Sequence, residues 1–231
     1  MKLAIIGAME EEVKLLREQI QDIQTQTIAG FEYYSGQIDG CEMVLLKSGI
    51  GKVNAAMSTT LLLQVFQPDA VINTGSAGGF HADLNVGDIV ISQSVCHHDV
   101  DVTPFGYELG QVPGMPACFV PDTKLVDAAK KSIEDLGEVA HMHGLIATGD
   151  RFMYNPDDVQ ATRENFPNMI ACEMEAAAVA QVCHTFGKPF VIIRSLSDIA
   201  GKENKVTFEQ YLEQAATHSA KVILGLFKYL N

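Results

Sequence analysis

The residues of this chain with the most capacity for chemistry are carboxylates set into apolar sequence. Phe190-Val191-Ile192-Ile193-Arg194-Ser195-Leu196-Ser197-Asp198 ends a strand-like run in an aspartate. Ala171-Cys172-Glu173-Met174-Glu175-Ala176-Ala177-Ala178-Val179 carries two glutamates through an otherwise apolar stretch. A buried carboxylate without a partner is expensive, so each must be solvated, paired or given a ligand. A ribose diol would suit one of the glutamates, because its hydroxyls donate and an ionised carboxylate only accepts. A structural salt bridge to Arg194 is the alternative. Asp198 reads either as a turn cap, the common use of a Ser-Asp pair after a strand, or as a general acid at a strand's carboxyl end. Near the start, Gly7-Ala8-Met9-Glu10-Glu11-Glu12 follows another apolar run. The helix dipole accounts for acids in a first turn, so Glu12 gains interest only from the residues it meets.

Asn73-Thr74-Gly75-Ser76-Ala77-Gly78-Gly79 puts small residues directly after a buried run, where backbone amides can approach a ligand closely. A plain Gly-rich turn is the competing account. Lys47-Ser48-Gly49-Ile50-Gly51-Lys52 lacks the first glycine of a P-loop and the Ser/Thr after its lysine, and Asn54 stands where a dinucleotide fingerprint needs its third glycine. A tight strand-to-helix turn remains. His97-His98-Asp99 with Asp101 would need a special loop to converge on one ion, since neighbouring side chains on a strand point to opposite faces. No metal and no cofactor is expected. A Ser-His-Asp triad lacks its Gly-x-Ser-x-Gly elbow.

The elements that must position these groups alternate between buried strands and amphipathic helices. Apolar runs at 3–6, 43–46, 70–73, 88–91, 145–147 and 190–193 read as strands covered on both faces. Helical spacing appears at 10–20, 53–66, 123–136, 175–186 and 207–230, the last opening on a capping box from Thr207 to Gln210. Asp39-Gly40 predicts one antiparallel hairpin among parallel strands. The fold class expected is α/β, a mixed twisted sheet flanked by helices, and one domain spanning 1–231 with no linker or repeat. Ligands of such sheets sit at the carboxyl ends of strands, where the glycine-bearing and acidic segments converge.

Lys plus Arg number 16 against 29 Asp plus Glu, a formal net charge of −13. Such a surface repels phosphate backbones and anionic lipid, so nucleic acid and membranes are not expected partners. Five cysteines without a Cys-x-x-Cys pair support neither a disulfide framework nor a zinc ribbon. The first apolar run is too short for a signal peptide or a membrane span. A cytosolic protein is expected.

Taken in order, 7–12, 48–52, 73–78, Gly149-Asp150 with Phe152, Glu173-Met174-Glu175 and Ser197-Asp198 resemble the 5′-methylthioadenosine/S-adenosylhomocysteine nucleosidases along essentially the whole chain. The resemblance implies a purine nucleoside phosphorylase-like fold, a homodimer, and hydrolysis of the bond between adenine N9 and ribose C1′. It places Glu12 as the base that activates water and Asp198 as the acid that protonates adenine at N7. Glu175 and Met174 would line the ribose, with Ser76 and Arg194 as helpers around it and the water. Phe152 would stack on the base, with the backbone of Met153, Ala77 and Gly78 beside it. Met9, Ile50, Met174 and Phe208 would surround the 5′ substituent, joined by Val102, Phe105 and Pro113 from the partner subunit. Thr148, where relatives commonly have Ser, and Arg151 depart from the pattern.

The division of labour makes physical sense without the resemblance. Glycosidic cleavage leaves positive charge on the ribose and negative charge on the base, so one group must protonate the base while another activates water on the opposite face. A model Asp titrates near 3.9, so an Asp198 acid at neutral pH needs roughly 4 kcal/mol of environmental help. A phosphorylase of the same fold would need several cations around its oxyanion, whereas the arginines are only Arg17, Arg151, Arg163 and Arg194. A non-catalytic nucleoside-binding protein would need neither Glu12 nor Asp198.

Overall fold

The computed structural model describes residues 1–137, 140–200 and 204–230, without the side chains of 204–207. In chain order the strands are β1 (Leu3–Gly7), β2 (Gln21–Ile28), β3 (Phe31–Ile38), β4 (Cys41–Lys47), β5 (Ala70–Gly79), β6 (Ile89–His97), β7 (His141–Thr148), β8 (Met169–Glu173) and β9 (Phe190–Ile199). The helices are α1 (Glu10–Arg17), α2 (Lys52–Phe66), α3 (Thr123–Leu136), α4 (Pro156–Asn165), α5 (Ala176–Phe186) and α6 (Asn204–Leu230). The strands form one mixed sheet in the order β2-β3-β4-β1-β5-β8-β7-β6-β9. Because β9 also pairs with β5, the half of the sheet from β5 onward closes into a ring. The expected hairpin joins β3 and β4 through Asp39 and Gly40, both at positive φ.

Strand alternation builds two apolar layers. Leu3 and Ile5 of β1 join a core shared with α1, α3 and α6, while Ala4 and Ile6 join a second core under α2 and α5. Period-two packing on both faces is why these runs read as uniformly apolar.

Several elements differ from the sequence expectation. Strands β5, β6 and β9 run well past their apolar starts, because ladder hydrogen bonds hold backbone that small or polar side chains do not advertise. The Gly-rich segment after Asn73 is therefore strand, paired to β9 and β8, and not a turn. Strand β2 is polar and exposed as a sheet edge, and the five-residue β8 has no alternation to find. Helix α4 buries only Val159, though Asn155 capping the Asp157 amide at 2.9 Å and Pro156 in the first turn are a legible start signal. Helix α6 begins at Asn204, ahead of the expected 207. The capping box proposed at Thr207 lies outside the described residues.

Candidate active site

A cavity of about 300 Å³ opens where the segments following β1, β4, β5, β8 and β9 meet. It brings together Met9, Glu12, Ile50, Ser76, Ala77, Gly78, Phe152, Met153, Met174, Glu175, Asp198 and Phe208. Phe80, Cys172, Glu173 and Arg151 also line it; the sequence pointed to Glu173 through the Glu-x-Glu spacing and to Arg151 as a departure in the loop over the base, but gave Phe80 no signal. Arg194 sits behind the wall against two of the glutamates. Val102, Phe105 and Pro113 lie outside the cavity, on the segment between β6 and α3, where Phe105 is 81% exposed.

Glu12 is buried at the third position of α1, and its carboxylate is held from two sides. Oε2 accepts the Ala8 and Met9 amides at 2.7 and 3.1 Å, and Oε1 accepts the Ser76 amide and hydroxyl at 2.9 and 3.0 Å. Four donors of this kind fix the orientation of the carboxylate. Gly75, at φ +145°, is what lets β5 pass so close: a Cβ there would meet Glu12 Oε1 at 2.6 Å and collide with Arg194 Nη1.

The two glutamates after β8 divide the alternatives open from sequence. Glu173 takes the structural role: Oε2 accepts Arg194 Nη2 at 2.5 Å and the Glu175 and Ala176 amides at 2.9 and 2.8 Å. Its Oε1 accepts the hydroxyl of Thr148, which in turn accepts the Ala177 amide at 2.8 Å. Thr148 is thus a hydroxyl that a Ser could also supply. Arg194, 1% exposed, also donates from Nη1 to Thr74 O and from Nη2 to Asn73 Oδ1, while its Nε finds no partner among the described residues. Glu175 faces the cavity, accepts the Gly51 amide at 2.8 Å, and lies 3.6 Å from Arg194. Burial first, and the neighbouring Glu173 carboxylate second, push its carboxyl up to about 8.

Asp198 reaches the cavity through a bulge. Ala77 pairs with Leu196 and Gly78 with Asp198, so Ser197 is an extra residue on β9. Leu196 stays in the apolar core while the extra residue turns Asp198 toward the ligand space, as bulges beside sites commonly do. Asp198 is 3% exposed and accepts the Ser197 hydroxyl at 3.0 Å. Gly78 leaves its Oδ2 room, since a Cβ there would stand 3.2 Å away. Gly75 against Glu12 and Gly78 against Asp198 are three strand residues apart, about 10 Å of β5.

Phe152 and Phe208 meet edge to face at 5.6 Å and close one side of the cavity. Arg151, at the rim, is paired to Asp158 of α4. Lys52 turns its ammonium to Asp99 at 2.5 Å, and Asp99 also accepts the Asp150 amide. His97 bonds to Gln181 at 3.0 Å and His98 packs on Gly149, so the His-His-Asp run serves three separate neighbourhoods. Among the described residues, no three His, Cys, Asp or Glu side chains group as a metal site.

A mixed sheet that closes on itself, with acids walling a cavity at its strand ends, defines a class, and the family model for the phosphorylase superfamily matches residues 2–228. The 5′-methylthioadenosine/S-adenosylhomocysteine nucleosidase of Hydrogenovibrio crunogenus is 71% identical over 231 residues, covering all of both chains. Among solved structures, the nucleosidase of that name from Colwellia psychrerythraea, in complex with adenine, matches with TM-score 0.98 at 54% identity over 100% of this chain and 96% of its own. The Neisseria meningitidis nucleosidase, in complex with methylthio-immucillin-A, matches with TM-score 0.97 at 47% identity over 99% of each. This chain belongs to the 5′-methylthioadenosine/S-adenosylhomocysteine nucleosidases.

Proposed function

We infer that the chain hydrolyses the N9–C1′ bond of 5′-methylthioadenosine and S-adenosylhomocysteine, releasing adenine and the thioribose, and that 5′-deoxyadenosine is a further substrate. The observation that carries this reading is the pair Glu12 and Asp198, both buried and both lining one cavity along β5. An enzyme that protonates the base, and not an oxygen on C1′, must hold a water, the ribose and the reactive edge of adenine between its two acids. Glu12 takes the proton of the attacking water. Of its four donors only the Ser76 hydroxyl can rotate, so water can replace that donor while the three amides hold the carboxylate. Asp198 delivers a proton to N7 of the departing base. Glu175 accepts the ribose hydroxyls, and those bonds strengthen as the sugar becomes cationic, stabilising the transition state more than the ground state.

Hydrolysis is favoured over phosphorolysis by the charges around the cavity. Arg194 is engaged by Glu173, Lys52 by Asp99 and Arg151 by Asp158, while Glu12 occupies ground an oxyanion would need. Two finer features belong to the same reading. The chain acts as a homodimer whose 100–116 segment brings Val102, Phe105 and Pro113 to the partner's cavity. Support comes from an apolar groove between α2, α5 and this segment, lined by Val53, Val112, Val182 and Phe186. A fully active monomer in sedimentation would contradict it. Its compartment is the cytosol, a reading supported by five cysteines without a disulfide and by the lack, among the described residues, of a helix long and apolar enough to cross a membrane. The activity is tested by incubating the protein with methylthioadenosine in phosphate-free buffer. Free adenine is expected, and intact nucleoside after prolonged incubation would contradict it.

A further inference from the structure

We propose that Cys96 and Cys118 form a reversible disulfide, making the base of the 98–117 segment an oxidation site. Strand β9 covers the edge of β6 only at Ile89, Val90 and Ile91, and farther along that edge Phe119 pairs with Val95. Val95 and Phe119 exchange both backbone bonds, at 2.9 and 2.8 Å, which makes them a hydrogen-bonded antiparallel pair. The next residues, Cys96 and Cys118, therefore face one another as a non-hydrogen-bonded pair, with Cα atoms about 4.5 Å apart and side chains on one face. That separation lies within the roughly 4.4–6.8 Å span a disulfide bridges. Cys172 does not compete. It is level with Cys96 across Ala147, two strand spacings or about 9.5 Å away, beyond the roughly 7 Å limit.

The two thiols also differ in the way a redox pair requires. Cys96 is buried, whereas Cys118 is half-buried and reachable. The Cys96 thiol donates to the Cys118 sulfur and brings its thiol down to about 7, so a substantial part is thiolate at neutral pH. With hydrogen peroxide as oxidant, the Cys118 thiolate attacks one oxygen and the O–O bond breaks, giving Cys118 sulfenic acid and hydroxide. Cys96 then displaces the sulfenic oxygen and loses its proton, and the S–S bond forms. Two thiols give up two electrons, peroxide takes them, and two waters leave.

The purified protein would be treated with hydrogen peroxide, alkylated after denaturation, and cut by a glutamyl protease at Glu108, which separates the two cysteines. Loss of two of the five thiols, two peptides held together by Cys96 and Cys118, and full reversal by dithiothreitol are expected. Cys118→Ser should abolish the linked peptides, and Cys96→Ala should leave Cys118 to form sulfinic acid. Retention of all five thiols, or Cys118 sulfinic acid accumulating beside a free Cys96 in the unsubstituted protein, would overturn the proposal.

Discussion

Asp198 and Glu175 are both buried acids, yet the account asks opposite things of them: one must give up a proton to the base, the other must accept hydrogen bonds as an anion. Asp198→Asn keeps the shape and the Ser197 contact but has no carboxyl proton to donate. Turnover should fall by at least about a hundredfold, the lower range for general acid catalysis. Near-normal steady-state turnover in a folded variant would remove Asp198 from the role. For Glu175 the prediction concerns stability. Its carboxyl is raised to about 8, above its value in an unfolded chain. The folded state then binds the extra proton, so the associated stability is fully present below the unfolded pKa, near 4.3, and is lost as pH rises through 8. Glu175→Gln removes this dependence while keeping an acceptor for the Gly51 amide. Thermal melts should show the variant gaining on the original chain between pH 5 and 8, by an amount on the order of a few kcal/mol. Parallel melting curves across that range would show that the carboxyl ionises without penalty.

At the scale of elements, the site depends on how strands end. The β9 bulge at Ser197 and the strand-bound glycines of β5 bring Asp198 and Glu12 to one cavity, with Arg194 behind its wall. Glu173, Glu175 and Asp198 were legible in the sequence, because carboxylates in apolar runs stand out, and β9 was found at its apolar start, while β8 was not. What was not legible was continuation. Gly75 to Gly79 and Ser195 to Ser197 offer only Ala77 and Leu196 to the core, so the strand through them is held mainly by pairing. The residues alone left open which glutamate pairs with Arg194, and only the resemblance put Glu175 at the ribose; Glu173 holds Arg194 closely while Glu175 faces the cavity. Phe80, reaching the cavity after β5, had no signal in the sequence at all. The start of α6 supplies a further test, since Phe208 closes the cavity against Phe152. Met9, Ile50, Met174 and Phe208 offer no hydrogen-bonding side chain to a 5′-hydroxyl, and burying one unpaired costs about 1–3 kcal/mol. With the methylthio group's own burial, at roughly 0.8 kcal/mol per methylene-sized unit, kcat/KM should favour methylthioadenosine over adenosine by about tenfold to several hundredfold. Phe208→Ser should shrink the ratio. Equal values for both substrates in the unsubstituted enzyme would show that these residues do not set selectivity.

On the scale of the whole molecule, charge decides the chemistry. A formal charge of −13 and a cavity walled by Glu12, Glu173, Glu175 and Asp198 make an inhospitable place for phosphate. A neutral nucleoside meets no such barrier, and the charged tail of S-adenosylhomocysteine can remain in solvent outside the 5′ end. The same balance separates this chain from phosphorylases built on the same sheet: the fold is shared, and the groups at the strand ends choose water as the nucleophile. The most direct measurement is product analysis after turnover of methylthioadenosine in concentrated phosphate buffer. The account predicts adenine and free methylthioribose, with no sugar 1-phosphate. Methylthioribose 1-phosphate as the main product would contradict it.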